Sequence, residues 1–223
     1  MSNMTTPDEV VAERIGTVRS AIDELGRPDV TIVAVTKGFD RSAMDCAQRL
    51  GLTNVGENYA QELVGKTEAL NNGTNVHFMG RIQRNKVRKV VEIVDSWHSV
   101  ARPEILTEIA KRATAAGRTP QILIQVRPHD DVSKDGVRPN ELDQMLETAR
   151  EAKIAVAGLM TIGVLGDSAA TNAAFIELAA LSDEYGLAHC SMGMSGDYRD
   201  ALAAGSTILR LGSALFGDRP ARG

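Results

Sequence analysis

The sequence predicts an α/β protein: a single (β/α)8 barrel of the TIM type, with an extra helix ahead of its first strand. Three observations carry that expectation. About eight short apolar or β-branched runs recur along the 223 residues, segments of helical periodicity lie between them, and no repeat, low-complexity tract or Pro/Ser-rich linker interrupts the alternation. Alternating strands and helices argue for right-handed βαβ units and a parallel sheet. A strand count near eight favours closure into a barrel over an open doubly wound sheet, which is the alternative. Barrels of about 200 to 250 residues commonly form one unit, so residues 1–223 are expected to be one domain.

The first helix is expected from Thr6, because Thr6 and Glu9 have capping-box spacing and Pro7 suits the first turn. Val11, Ile15, Val18 and Ile22 form its apolar stripe, and Gly26 and Pro28 stop it. The strands are expected at 30–36, 53–56, 76–80, 96–100, 121–126, 154–162, 187–192 and 208–211. Between them, 102–116 places Ile105, Ile109 and Ala113 on one helical face, and 169–185 does the same with Phe175, Leu178, Ala179 and Ser182. Residues 218–223 read as a loose tail.

Composition excludes several classes of function. With 25 Lys+Arg against 29 Asp+Glu, the net charge of -4 offers no attraction to a nucleic-acid backbone or an anionic membrane. No apolar segment approaches the roughly 20 residues needed to span a bilayer, and the N-terminus lacks a cationic region followed by an apolar stretch. A cytoplasmic protein is expected. Cys46 and Cys190 stand far apart and outside any CxxC arrangement, which suggests neither a disulfide framework nor a sulfur-ligated zinc site. His77, His98, His129 and His189 show no HExxH spacing, and none has an evident Ser or Cys triad partner in sequence.

In barrels the chemistry sits where strands end and loops begin. Here those positions are Lys37, Glu57 and Asn58, Arg81, the loop 128–136, Gly163, Ser195, and Gly212 with Ser213. Lys37 closes the run Thr31-Ile-Val-Ala-Val-Thr36, where a partly dehydrated barrel mouth would make its neutral, nucleophilic form more accessible. A lysine that ends a strand and simply reaches water is the alternative. The segments after strands seven and eight combine glycines with Ser195 and Ser213, at the usual barrel phosphate site, though Ser195 could equally cap the helix that follows it. Arg210 lies inside an apolar strand and should either pair with a carboxylate or face a ligand. The cluster Arg81, Arg84, Lys86, Arg88 and Lys89 reads mainly as a solvated helical face, with a second anion site as the other reading.

Ordered motifs along almost the whole chain carry a further reading. They are Ala34-Val-Thr-Lys37, Val55-Gly-Glu-Asn58, His77-Phe-Met-Gly80 with Gln83-Arg-Asn-Lys86, Ser133-Lys-Asp-Gly136, Gly158-Leu-Met-Thr-Ile-Gly163, Ser191-Met-Gly-Met-Ser195, and Gly205-Ser-Thr with Arg210-Leu-Gly-Ser213. With these the sequence resembles the pyridoxal phosphate homeostasis protein family, similar to the alanine racemase N-terminal domain. The resemblance implies a fold-type III barrel that binds pyridoxal 5′-phosphate (PLP), with Lys37 forming the Schiff base. It implies that Ser195, Gly212 and Ser213 hold the phosphate, that Arg210 faces the pyridine nitrogen, and that Asn58 and Met160 line the same mouth. Ser213 stands where the family more commonly has threonine, and Arg81 and Arg84 replace less basic residues. The function implied is non-catalytic cofactor handling in a monomer, with transient delivery to apo-enzymes. A racemase or decarboxylase is the enzymatic alternative; such relatives carry an additional C-terminal β-domain, whereas this sequence is expected to end with its barrel. A lysine-dependent aldolase of phosphosugars would share the lysine and phosphate site but hold no chromophore.

Overall fold

The computed structural model describes residues 7–66, 70–127 and 135–219. Helix α1 (Pro7–Glu24) precedes eight strands: β1 (Thr31–Val35), β2 (Asn54–Glu57), β3 (Asn75–Phe78), β4 (Ser96–Val100), β5 (Gln121–Gln125), β6 (Val156–Met160), β7 (His189–Ser191) and β8 (Ile208–Leu211). Each strand is followed by a helix: α2 (Arg41–Arg49), α3 (Ala60–Gly65), α4 (Arg84–Val90), α5 (Pro103–Ala115), α6 (Leu142–Glu151), α7 (Ser168–Glu184), α8 (Tyr198–Ala203) and α9 (Ser213–Phe216). All neighbouring strands pair in parallel, and β1 also pairs with β8, with Thr31 opposite Ile208 and Ala34 opposite Leu211, so the sheet closes.

Strand alternation divides the side chains into two cores. Ile32, Ala34, Val55, Val76, Phe78, Trp97, Ile122, Ile124, Leu159, Leu209 and Leu211 point outward into the large core shared with the helices. Val33, Leu123, Met160 and Ile208, flanked by Met79 and Ile162, fill the barrel interior. Gly56 belongs to the inward set of β2: a Cβ there would lie 2.5 Å from Met79 Cε and 2.9 Å from Val33 Cγ1, so glycine makes room for the interior layer. The stripe Val11, Ile15, Val18 and Ile22 of α1 is buried, as its spacing predicts, and the helix ends before Gly26, whose φ is 63°. The capping role of Thr6 lies outside the described residues. Strands β6 and β7 are shorter than the apolar runs that announce them, because those runs continue into buried loop residues such as Thr161 and Met192.

Candidate functional site

Alternation also decides where Lys37 goes. Val33 faces the interior and Val35 lines the mouth of the barrel, so Lys37, two residues further on, opens into the same mouth. The chain there is clamped. Gly38 takes a left-handed turn with φ 75°, its amide donates to Glu62 Oε2 at 2.9 Å, and Lys66 Nζ donates to the Thr36 carbonyl at 2.9 Å. Lys66 also pairs with buried Glu57, Nζ to Oε1 at 2.6 Å, and the same oxygen accepts from Thr36 Oγ1 at 2.6 Å. Burial raises the Glu57 carboxyl above its ordinary value, against the opposing hydrogen bonds of Lys66 and Thr36.

The mouth is a cavity of about 260 Å³ at the C-terminal ends of the strands. Lys37, Asn58, Met160, Ser195, Arg210, Gly212 and Ser213, the positions singled out in the sequence, all line it, together with Val35, Met79, Ile162, Met194, Gly196 and Arg219. Half-burial lowers the Lys37 pKa, and the positive charges of Arg219 and Arg210 lower it further. A greater share of neutral amine, able to attack a carbonyl, is the consequence. Asn58 Oδ1 is buried beside the lysine without a hydrogen-bond partner. The backbone of Asn58 is pressed under the end of β3: a Cβ on Gly80 would come within 1.8 Å of the Asn58 carbonyl oxygen.

Ser195 does not cap the helix that follows it. Its Oγ instead accepts from the amides of Gly212, at 3.3 Å, and Ala214, at 3.0 Å, across the mouth at the start of α9. The reason is the turn at Gly193 (φ 93°), where a Cβ would lie 2.7 Å from Ala201; the chain folds back there and carries Ser195 toward the end of β8. Two amides that converge on a single oxygen are suited to an anionic oxygen.

Arg210 is only 5% exposed; its hydrogen bonds to described residues go to neutral oxygens, and the carboxylate of Asp197 acts on it through its charge. Its Nη1 donates to Ser191 Oγ at 2.7 Å and its Nη2 to the Thr161 carbonyl at 2.8 Å. Burial pulls the guanidinium down to about 10, so it stays charged at neutral pH. The carboxylate expected as one possible partner is thus replaced by neutral acceptors, which leaves the remaining N–H donors available to the mouth.

Other residues fall elsewhere. Arg81 pairs with Asp135 at 3.0 Å and Arg84 with Glu108 at 3.3 Å, while Lys86, Arg88 and Lys89 lie on α4 away from the mouth lining. The rest of the expected loop, residues 128–134 with His129 and Ser133, lies outside the described residues. Tyr59 is 50% exposed at the start of α3 and does not line the mouth. Of the expected loose tail, exposed Asp218 and Arg219 belong to no helix or strand, yet the Arg219 side chain lines the mouth and lies against Gly38, where a Cβ would be 3.1 Å from its Cδ; residues 220–223 lie outside the described residues. Sequence reasoning missed Arg219, Met79 and Ile162. The last two had a signal, since they alternate with His77 and Met160 and so continue the inward set.

The family model described as "Alanine racemase, N-terminal domain" matches residues 12–220. The pyridoxal phosphate homeostasis protein of Synechocystis is 40% identical over 204 residues, covering 86% of this chain and 93% of its own length. The chain belongs to the pyridoxal phosphate homeostasis protein family. Another member, from Pseudomonas aeruginosa, is 35% identical and covers 97% of each chain. Among solved structures, PipY of Synechococcus elongatus with PLP bound is 32% identical with a TM-score of 0.82, covering 93% of this chain and all of its own. An alanine racemase from Clostridium difficile shares the fold at 14% identity and a TM-score of 0.74, and the chain spans 57% of its length. Among the described residues no helix is long and apolar enough to cross a membrane, and no group of His, Cys, Asp and Glu could hold a metal ion.

Proposed function

We propose that this chain binds pyridoxal 5′-phosphate at the mouth of its barrel and serves cofactor homeostasis without turning over a substrate. One observation carries the reading: an amine with a lowered pKa, a buried arginine and a pair of convergent amides meet in one cavity of about 260 Å³. The residues fit the group. The amides of Gly212 and Ala214, now held by Ser195 Oγ, suit a phosphate; the orphaned Asn58 Oδ1 offers a partner to a polar ring substituent; and Met79 and Met160 offer apolar faces to the ring. Lys37 would hold the cofactor through its aldehyde, and the bound cofactor would supply a ring able to withdraw electrons. Ser195 and Ser213 hold the phosphate with the neighbouring amides. Arg210 can only donate to the ring nitrogen, which keeps that nitrogen unprotonated and the ring a weak electron sink. The relatives' names support the homeostasis role, and the PLP-bound PipY structure supports the ligand. In this reading residues 1–223 form one cytoplasmic, monomeric PLP-binding domain, and apo-enzymes are its transient recipients.

The absence of turnover rests on the proton inventory of the mouth. Racemisation needs a base on each face of the substrate carbon. Among the described lining residues Lys37 is the only group that can act as one, since Tyr59 and Tyr198 lie outside the lining. A racemase is therefore the weaker reading, and a decarboxylase is weakened by the poor electron sink that a ring nitrogen facing Arg210 provides. Purified protein should be yellow, and borohydride should fix one pyridoxyl group on Lys37, found by peptide mapping; a label on another lysine refutes the assignment. Incubation with L-alanine should give neither D-alanine nor carbon dioxide. Turnover of about 1 to 1000 per second, abolished by Lys37→Ala, would show an enzyme instead.

A further inference from the structure

Behind Arg210, the barrel interior holds a line of polar side chains drawn from strands that are not all neighbours. Ser191 Oγ, which accepts from Arg210 Nη1, lies 2.8 Å from His98 Nδ1. His98 Nε2 lies 2.8 Å from His77 Nδ1, and His77 Nε2 lies 3.0 Å from Asn54 Oδ1. Ser191 is on β7 and His98 on β4, so this hydrogen bond crosses the lumen rather than running along the sheet. The line ends beside a second, polar cavity of about 470 Å³ at the opposite end of the barrel, lined in part by Asn54, His77, Ser96, Arg118 and His189.

Its donors and acceptors can be assigned from the ends inward. Asn54 Nδ2 donates to Thr53 Oγ1 at 3.3 Å, which leaves Oδ1, an acceptor only, facing His77. His77 Nε2 therefore carries a proton. Burial holds His77 neutral down to about 4 and His98 well below the usual histidine range, so each ring has one donor and one acceptor at neutral pH. His77 Nδ1 must then accept from His98 Nε2, and His98 Nδ1 must accept from the Ser191 hydroxyl. That leaves a lone pair on Ser191 Oγ for Arg210, which can only donate. Every contact is satisfied, and every N–H or O–H dipole points away from the guanidinium, with its negative end toward the charge.

We propose that Ser191, His98 and His77 are positioning residues: a neutral, head-to-tail hydrogen-bonded line that fixes the Arg210 guanidinium so that its free N–H donors meet the cofactor's ring nitrogen. The proposal rests on the cofactor reading above. The line does through dipoles what a carboxylate would do through charge, and the arginine keeps its full positive character toward the mouth.

Two measurements test it. In the unaltered protein, 15N NMR of labelled histidine should show His77 and His98 both neutral and protonated at Nε2 from pH 8 to pH 5; an Nδ1–H or doubly protonated His98 would overturn the assignment without reference to any ligand. The second measurement compares affinity for PLP with affinity for its 1-deaza analogue, in which C–H replaces the ring nitrogen. Ser191→Ala and His98→Leu should weaken PLP about tenfold, the value of one well-placed charged hydrogen bond, and leave the analogue within about twofold. His98→Asn, which keeps an acceptor near the Nδ1 position, should restore the preference and serves if His98→Leu does not fold. Equal weakening of both ligands would reduce the line to a structural role. Failure of the unaltered protein itself to distinguish the two ligands would instead refute the placement of Arg210 against the ring.

Discussion

At the scale of single residues, the proposed site keeps covalent capture by Lys37 apart from phosphate binding by the residues after β7 and β8. Lys37→Ala should remove the link and still leave weaker binding, because in this proposal Ser195 after β7 and the amides and Ser213 hydroxyl after β8 hold the phosphate independently of the lysine. Ser195 is the more informative position. Its Oγ occupies the amides of Gly212 and Ala214, so it must turn or share them when a phosphate arrives. Each hydroxyl bonded to a charged phosphate contributes about 1.5 to 3 kcal/mol, so alanine at Ser195 or Ser213 should weaken PLP retention roughly 10- to 100-fold, measured by equilibrium dialysis. Unchanged affinity in the double alanine variant would remove both serines from the site. Lys37, Ser195 and Ser213 were legible in the sequence because each follows directly on an apolar run. The partner of Ser195 was not, since the turn at Gly193 redirects it.

At the scale of elements, the end of β1 is held by helix α3 through a buried charge. Lys66 Nζ reaches Glu57 and the carbonyl of Thr36, immediately before Lys37. Replacing Lys66 by Met would leave Glu57 buried with only the Thr36 hydroxyl, and breaking such a pair costs about 3 to 5 kcal/mol. Urea denaturation should show a loss of that order at pH 8. The loss should shrink toward pH 5, because the Glu57 carboxyl, already raised by burial, can then take up a proton. Equal losses at both pH values would mean that Glu57 is not the group left exposed to the penalty. Strand positions were legible from their apolar runs, but this ion pair was not. Thr36, Glu57 and Lys66 lie at the ends of β1, β2 and α3, and their convergence follows from the pairing of β1 with β2 and from the return of the chain through α3.

At the scale of the whole molecule, the two buried histidines couple the barrel's stability to pH. An unfolded histidine takes up its proton near 6.5, whereas folded His77 does so only at about 4, and burial holds folded His98 well below the ordinary value. Between those values the unfolded chain binds more protons, so acidification favours unfolding. Stability should fall by about 2 kcal/mol on account of His77 between pH 7 and pH 5, and His98 should deepen the fall in the same direction. Denaturant midpoints of His77→Gln and His98→Asn variants should depend less on pH over that range than those of the unaltered protein. An unchanged slope in both variants would show that other groups carry the acid sensitivity.

The sequence by itself determined the alternation of strand and helix, the number of strands, and through the two-residue period of a strand the inward direction of Val33, Val35 and Lys37. These are local properties: each depends on a few neighbouring residues and on the burial of one face. Closure was read from the strand count alone, and its register, Thr31 against Ile208, is a tertiary fact. Only the tertiary structure decided that Ser195 meets the amides of Gly212 and Ala214, that Arg219 returns over Gly38, and that His98 reaches Ser191 across the lumen. His98 and Ser191 are 93 positions apart on strands that do not pair. No periodicity in the chain encodes such a contact, because it exists only once the closed barrel has brought opposite walls within reach of each other.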